Sequence, residues 1–405
     1  MVDDSGRGQR IARARRRRGL SQAALAGLVG RSESWLSQVE RGLRSVDSHS
    51  VLTSLAEILR VDVTELTAAE AAELQVSRYT AARDIELAMM AYDGLESVIG
   101  TGGTQRPPDV ERLALGVQRV NRTYQSARYE EAGRMLPALI RGVELASRTC
   151  PRTEVIAISN LRSQTYQDTA MVLSRVGDTR LAWTAADRAV TAAEHAEAGL
   201  MAAMSAFRLV HVFVRRKCTT QARDLTAAAT AALHRSGETD DPARLSVAGS
   251  LYLADSLAAA AEFDRAGADR SLSRARQIAE RVGQDRNDHW TAFGPTNVRI
   301  HQISAAVAFG DADMAIEGSD GLDPRRLPAG LAGRRSQVSL DLARAYAQQR
   351  HDAAAVNMLQ DAERIAPQLV RYDAATHDLL VLLMRREHRA STPQLRPLAR
   401  RAGMI

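Results

Sequence analysis

The feature that most limits what this chain can fold into is a unit that recurs along most of its length. From about residue 75 onward, long stretches of Ala, Leu, Arg, Glu and Gln end in a polar turn. A second stretch then begins with a small residue. All five residue types are good helix formers, and no segment reads as a strand. The turns fall at 127–132, 176–182, 216–222, 262–268, 309–315 and 350–354. Each ends on an alanine expected to face inward: Ala132, Ala182, Ala222, Ala268, Ala315 and Ala354, at intervals of 50, 40, 46, 47 and 39 residues. An internal period in this range marks a helical solenoid, in which each pair of helices buries its apolar face against its neighbours. An all-α fold is therefore expected. With 405 residues, more than one hydrophobic core is expected too.

The charge is not spread along this repeat. Between Arg7 and Arg44 ten arginines stand against Glu33 and Glu40, a net of +8. The whole chain carries +6, so the remainder sums to −2. One short segment holds the entire basic excess, the electrostatic footprint of a nucleic-acid-binding module. A basic tail or membrane-surface arm would account for the charge alone. Such a tail needs no apolar periodicity, whereas this segment has it. Residues 7–18 read as a helix. Ser21 can cap a second, 22–29, and Gly30 ends it in a tight turn. Ser32 can cap a third, 33–41, closed by Gly42. Val51, Leu52, Leu55, Ala56 and Leu59 give a fourth at 3.6-residue periodicity, and Val61, Val63 and Leu66 close the small core with a fifth.

The run Gly19-Leu20-Ser21-Gln22-Ala23-Ala24-Leu25-Ala26, then Gly30, then Leu36-Ser37-Gln38-Val39-Glu40-Arg41-Gly42, then Leu55-Ala56 and Leu59, resembles the Cro/cI-type helix-turn-helix of the XRE family. The resemblance covers roughly 7–68, and Arg60 departs from it where the family often has glycine. It implies a double-stranded DNA operator as partner, a homodimer, and a third helix lying in the major groove. Ser32, Glu33, Ser34 and Gln38 then take base-reading positions, with Ser37 nearby. Gln38 can grip an adenine, and Glu33 can accept from a cytosine amino group. Ser32 serves equally well as a plain helix cap. Gln22, Arg31, Arg41 and Arg44 are expected on phosphates. Arg15 and Glu40 match an internal ion pair of the family. Trp35 either packs on sugar or a thymine methyl, or is half-buried core.

The repeats resemble tetratricopeptide (TPR) repeats in their turns, although the interval is longer than that family's, and HEAT-like pairing is the fallback. The expected organisation is a five-helix domain at 7–68, a connecting helix and linker at 69–108, and a TPR-like domain at 109–390. Within the middle segment, 79–99 reads as one amphipathic helix and 100–108 as a break. The whole resembles the quorum-sensing receptors of Gram-positive bacteria and actinobacterial regulators with helical C-terminal domains. That resemblance implies a peptide or small-molecule effector on the inner surface. Asn160, Gln164, Arg208, His211, Tyr252, Asp255, Asn297 and His301 are the candidate ligand residues, because polar and aromatic groups on the first helix of each pair face that surface. Residues 287–301 concentrate two aromatics and a Gly-Pro turn in an alanine-rich chain. They read either as a pocket wall or as an inter-repeat loop.

The sequence offers little for catalysis. It holds no H-E-x-x-H, G-x-S-x-G or Walker loop, so no enzyme, metal or cofactor is expected. Two cysteines, Cys150 and Cys218, cannot build a disulfide framework, and a reducing cytosol fits. No stretch approaches the roughly 20 apolar residues that cross a bilayer. A transcription regulator in the cytoplasm is expected. The alternatives are a partner-binding scaffold and a repressor that needs no ligand.

Overall fold

A computed structural model of the chain describes residues 4–44, 46, 49–59, 61, 66, 79–91, 108–196, 199–235, 240–388 and 390–404. All regular structure among them is helical, in two compact units, Met1–Tyr79 and Thr80–Ile405.

The first unit is built on α1 (Asp4–Arg17), α2 (Gln22–Leu28), α3 (Glu33–Glu40) and α4 (His49–Leu59). The expected caps are present. Ser21 Oγ accepts from Ala24 N at 3.0 Å, and Ser32 Oγ from Trp35 N at 3.2 Å. Gly30 turns the chain from α2 to α3 with φ of 69°, a left-handed conformation that costs glycine least. Ile11, Leu25, Leu36, Leu55, Leu59 and Leu66 converge in a core where each is at most 1% exposed. The packing holds a constraint that periodicity did not reveal. A Cβ on Gly8 would stand 2.1 Å from the carbonyl oxygen of Val39, so α1 crosses the end of α3 at a distance only glycine allows. The expected fifth helix lies mostly outside the described residues.

The second unit opens with α5 (Ala81–Met90). This helix falls in the segment expected to be a connector, yet it packs on the solenoid: Arg188 Nη1 donates to Met89 O at 2.8 Å, and Ile85 is fully buried. The remainder of the expected 79–99 helix, and the expected 100–108 break up to residue 107, lie outside the described residues. Six antiparallel pairs follow. They are α6 (Val110–Gln125) with α7 (Tyr129–Thr149), α8 (Val155–Arg175) with α9 (Thr179–His195), and α10 (Gly199–Arg215) with α11 (Thr219–Arg235). Then come α12 (Pro242–Ala261) with α13 (Arg265–Val282), α14 (Pro295–Phe309) with α15 (Ala312–Ser319), and α16 (Ala332–Gln348) with α17 (Asp352–Ile365). Shorter helices, α18 (Pro367–Tyr372), α19 (Ala374–Arg385) and α20 (Leu395–Arg401), finish the unit. Leu395 and Leu398 are fully buried, so packed structure continues past residue 390.

The six turns share one geometry. In each, a single residue takes positive φ: Ala127, Gly177, Lys217, Phe263, Gly310 and Arg350. Five residues later stands an alanine with no exposed surface: Ala132, Ala182, Ala222, Ala268, Ala315 and Ala355. The last of these corrects the sequence reading, which chose Ala354; that residue is partly exposed. Small side chains here let paired helices approach closely.

The two ends of the superhelix meet. The turn between α6 and α7 touches segments far along the chain. Gln125 and Asn287 exchange amide hydrogen bonds at 3.0 and 2.8 Å. Ser126 Oγ donates to Gly330 O at 3.3 Å, and Tyr372 Oη to Glu130 Oε1 at 2.8 Å. The inner surface is therefore closed around a cavity rather than laid open as a groove.

Candidate DNA-binding helix and ligand pocket

In the first unit the candidate site is the exposed side of α2 and α3. Arg31, Ser32, Glu33, Ser34, Arg41 and Arg44 are exposed, and Ser37 and Gln38 partly so. Ser32 spends its hydroxyl as the helix cap. Arg41 Nε donates to Ser37 O at 3.2 Å, and the residue stays exposed. Trp35 is half-buried against the core, with the Arg31 guanidinium carbon 5.8 Å from its ring centroid. Beneath this face sits the Arg15–Glu40 pair. Arg15 donates Nε to Oε1 at 2.6 Å and Nη2 to Oε2 at 2.8 Å. Gln22, expected on a phosphate, donates to the same Oε2 at 2.7 Å. One amide N–H is thus engaged in fixing α2 to α3, and one remains for a phosphate. Burial pushes the Glu40 carboxyl up, but the hydrogen bonds from Arg15 and Gln22 outweigh it and hold the group below its ordinary value.

In the second unit a central cavity opens partly to solvent. Four arginines line it: Arg175 at the end of α8, Arg208 and Arg215 on α10, and Arg334 on α16. Residues 287–301, left between wall and loop by the sequence, supply one wall through Trp290, Thr291 and Ala292. The segment is anchored by Phe293, which is fully buried against Gly249; a Cβ there would sit 2.0 Å from the ring.

Of the eight expected ligand residues, Arg208 and His211 line this cavity. His301 stands behind it, its Nε2 3.4 Å from Arg334 Nη1. Burial first, and neighbouring arginines second, push both histidines well below their ordinary pKa, so both are neutral at pH 7. Asn297 is buried, and its Oδ1 has no partner. Asp255 is engaged by Ser271 at 2.5 Å and Arg223 at 3.7 Å. Asn160, Gln164 and Tyr252 are partly buried and do not line the cavity. Sequence reasoning missed Arg175, Arg215, Arg334 and Tyr124. The available signal was that Arg175 and Arg215 both end the first helix of a pair.

Residues 8–69 match the family described as "Helix-turn-helix domain". The match lies within the first unit. Two curated relatives are the HTH-type transcriptional regulator RamB from Mycobacterium tuberculosis strains CDC 1551 / Oshkosh and ATCC 25618 / H37Rv. Each is 29% identical over 150 residues, which is 36% of this chain and 30% of the relative. The match thus spans less than a third of those relatives' length. Among solved structures, Bacillus thuringiensis PlcR in complex with the peptide PapR7 and DNA covers 94% of this chain and 98% of its own, at 13% identity and a TM-score of 0.33. No described helix is long and apolar enough to cross a membrane, and the described residues hold no group of three metal-ligand side chains.

Proposed function

We propose that the chain is a sequence-specific transcription regulator. Its helix-turn-helix inserts α3 into the major groove of an operator. The second unit dimerises the protein and receives a peptide or small-molecule signal. The observation that carries this reading is the outer face of α3, where Glu33, Ser34, Ser37 and Gln38 project from a helix capped by Ser32 and locked to α2 through Glu40. Ser, Gln and Glu side chains can read base edges, while Gln22, Arg31, Arg41 and Arg44 neutralise phosphates around them. Two copies related by a two-fold axis would read half-sites spaced by whole helical turns.

Competition binding tests this reading. The intact chain at about 150 mM salt should prefer at least one genomic fragment over random duplex by about 1,000-fold or more. Equal affinity for every fragment would reduce the first unit to a non-specific basic clamp.

A further inference from the structure

We propose that the central cavity binds a small polyanion, a compact molecule carrying at least two phosphate or carboxylate charges. This rests on the reading of the second unit as the receiver of a signal and names the chemistry of what it receives.

The argument is one of unmatched charge. Among the described residues, no carboxylate lies within ion-pairing distance of Arg208, Arg215 or Arg334. Arg175 has a long ion pair with Asp373 Oδ1 at 3.9 Å, while Oδ2 of that carboxylate accepts from Arg344 at 3.1 Å and from Thr376, so one carboxylate is shared between two arginines. Asp341, the other acid nearby, is held by Arg344, Gln337 and Ser304. Asp168 is buried and accepts from Asn121 at 2.7 Å; burial drives its carboxyl well up, against the opposing but smaller pull of Arg208, with which it forms no ion pair.

The arginines are also short of hydrogen bonds. A guanidinium has five donors. Arg208 is 8% exposed, gives one hydrogen bond to Trp290 O at 3.1 Å, and its buried Nε has no partner. Among the described residues, the hydrogen-bond contact of Arg334 is the long one to neutral His301. Burial first, and the charge of Arg175 second, push Arg334 down to about 10. Clustered, poorly paired cations cost a fold stability, and an anion seated among them removes that cost. Guanidiniums also suit oxyanions, which they grip in bidentate fashion.

The wall is built to hold a shape. His289, Trp290 and Ala292 all take positive φ, between 48° and 60°. Each is strained for a residue with a Cβ. They stay there because Trp290 O accepts from both Gln125 and Arg208, and Asn287 Oδ1 accepts from Ala292 N at 3.1 Å. The charge count chooses between ligand classes. A linear peptide with neutral side chains brings one carboxylate and leaves most of the arginines unmatched. A compact polyanion matches them together, and the rings of Phe207 and Trp290 offer an apolar surface beside them.

The test is a titration of the full chain, followed by tryptophan fluorescence and melting temperature. The probes are inorganic pyrophosphate, adenosine monophosphate, citrate, acetate and a neutral heptapeptide with a free C-terminus. At least one of the first three should bind below roughly 1 mM, perturb emission and raise the melting temperature. Pyrophosphate against citrate separates phosphate from carboxylate preference. The Arg208→Gln/Arg334→Gln double variant should weaken binding about tenfold or more. Arg215→Gln, at an exposed side chain by the mouth, should act in the same direction and guards against misfolding of the double variant. Arg41→Ala/Arg44→Ala should leave it unchanged, which excludes binding to the basic first unit. Binding insensitive to the pocket arginines, acetate equal to the polyanions, or a peptide preferred to all of them would each overturn the proposal. Binding that leaves DNA affinity unaltered would overturn the signal-receiving reading while the site itself stands.

Discussion

Glu40 accepts from Arg15 and Gln22 at once, and so ties α2 to α3. Its carboxyl is held below its ordinary value in the fold. A lowered folded pKa contributes stability above the unfolded carboxylate pKa and loses it as pH falls through the folded value. The Glu40→Gln variant should therefore lose about 3 kcal/mol at pH 7, since it strands a buried guanidinium. Thermal unfolding of wild type and variant should converge as pH falls below about 4. A constant difference across pH would assign the effect to packing alone. At Arg41 the expectation concerns DNA instead. Its guanidinium is exposed, and the proposed reading sets it on a phosphate. Arg41→Ala should weaken every duplex alike and reduce the salt slope by about 0.9. Loss confined to one sequence would move Arg41 to the base-reading set.

At the scale of elements, the turn geometry carries the repeat, and the sequence revealed it only in part. Gly177 and Gly310 announce their turns, because glycine tolerates positive φ. Ala127, Lys217, Phe263 and Arg350 adopt the same conformation with nothing in their chemistry to mark it. In the last turn three consecutive alanines, 353–355, gave no way to choose the inward one. Only the position of Arg350 fixes Ala355 as the buried residue. Ala355→Leu should therefore cost about 1–3 kcal/mol by overpacking, and Ala354→Leu well under 1, in chemical unfolding of the full chain. The reverse order would contradict the common turn geometry. The helix-turn-helix was legible because caps, glycines and apolar spacing agree there. The pocket was less so. Arg208 and His211 stood out on an apolar helix, whereas Arg175, Arg215 and Arg334 look like any of the chain's many surface arginines until the solenoid closes.

For the molecule as a whole, the chain divides into two compact units, to which the proposed function gives separate tasks. In the second, closure depends on contacts between residues more than 150 positions apart, which local periodicity does not encode. Asn287→Ala removes both Gln125 bonds and the acceptor for Ala292 N. It should cost about 1–3 kcal/mol and speed hydrogen exchange in 285–294. Unchanged exchange there would mean that closure rests on other contacts. In the first unit, the claim on which everything else rests is that the face of α3 reads sequence. The most direct measurement is binding-site selection from random duplex, with the intact chain beside its Gln38→Ala variant. The wild type should enrich one motif, and the variant should lose its preference at one base pair of each half-site, at a cost of about 1–3 kcal/mol. No enriched motif, or the same motif from both proteins, would contradict the account.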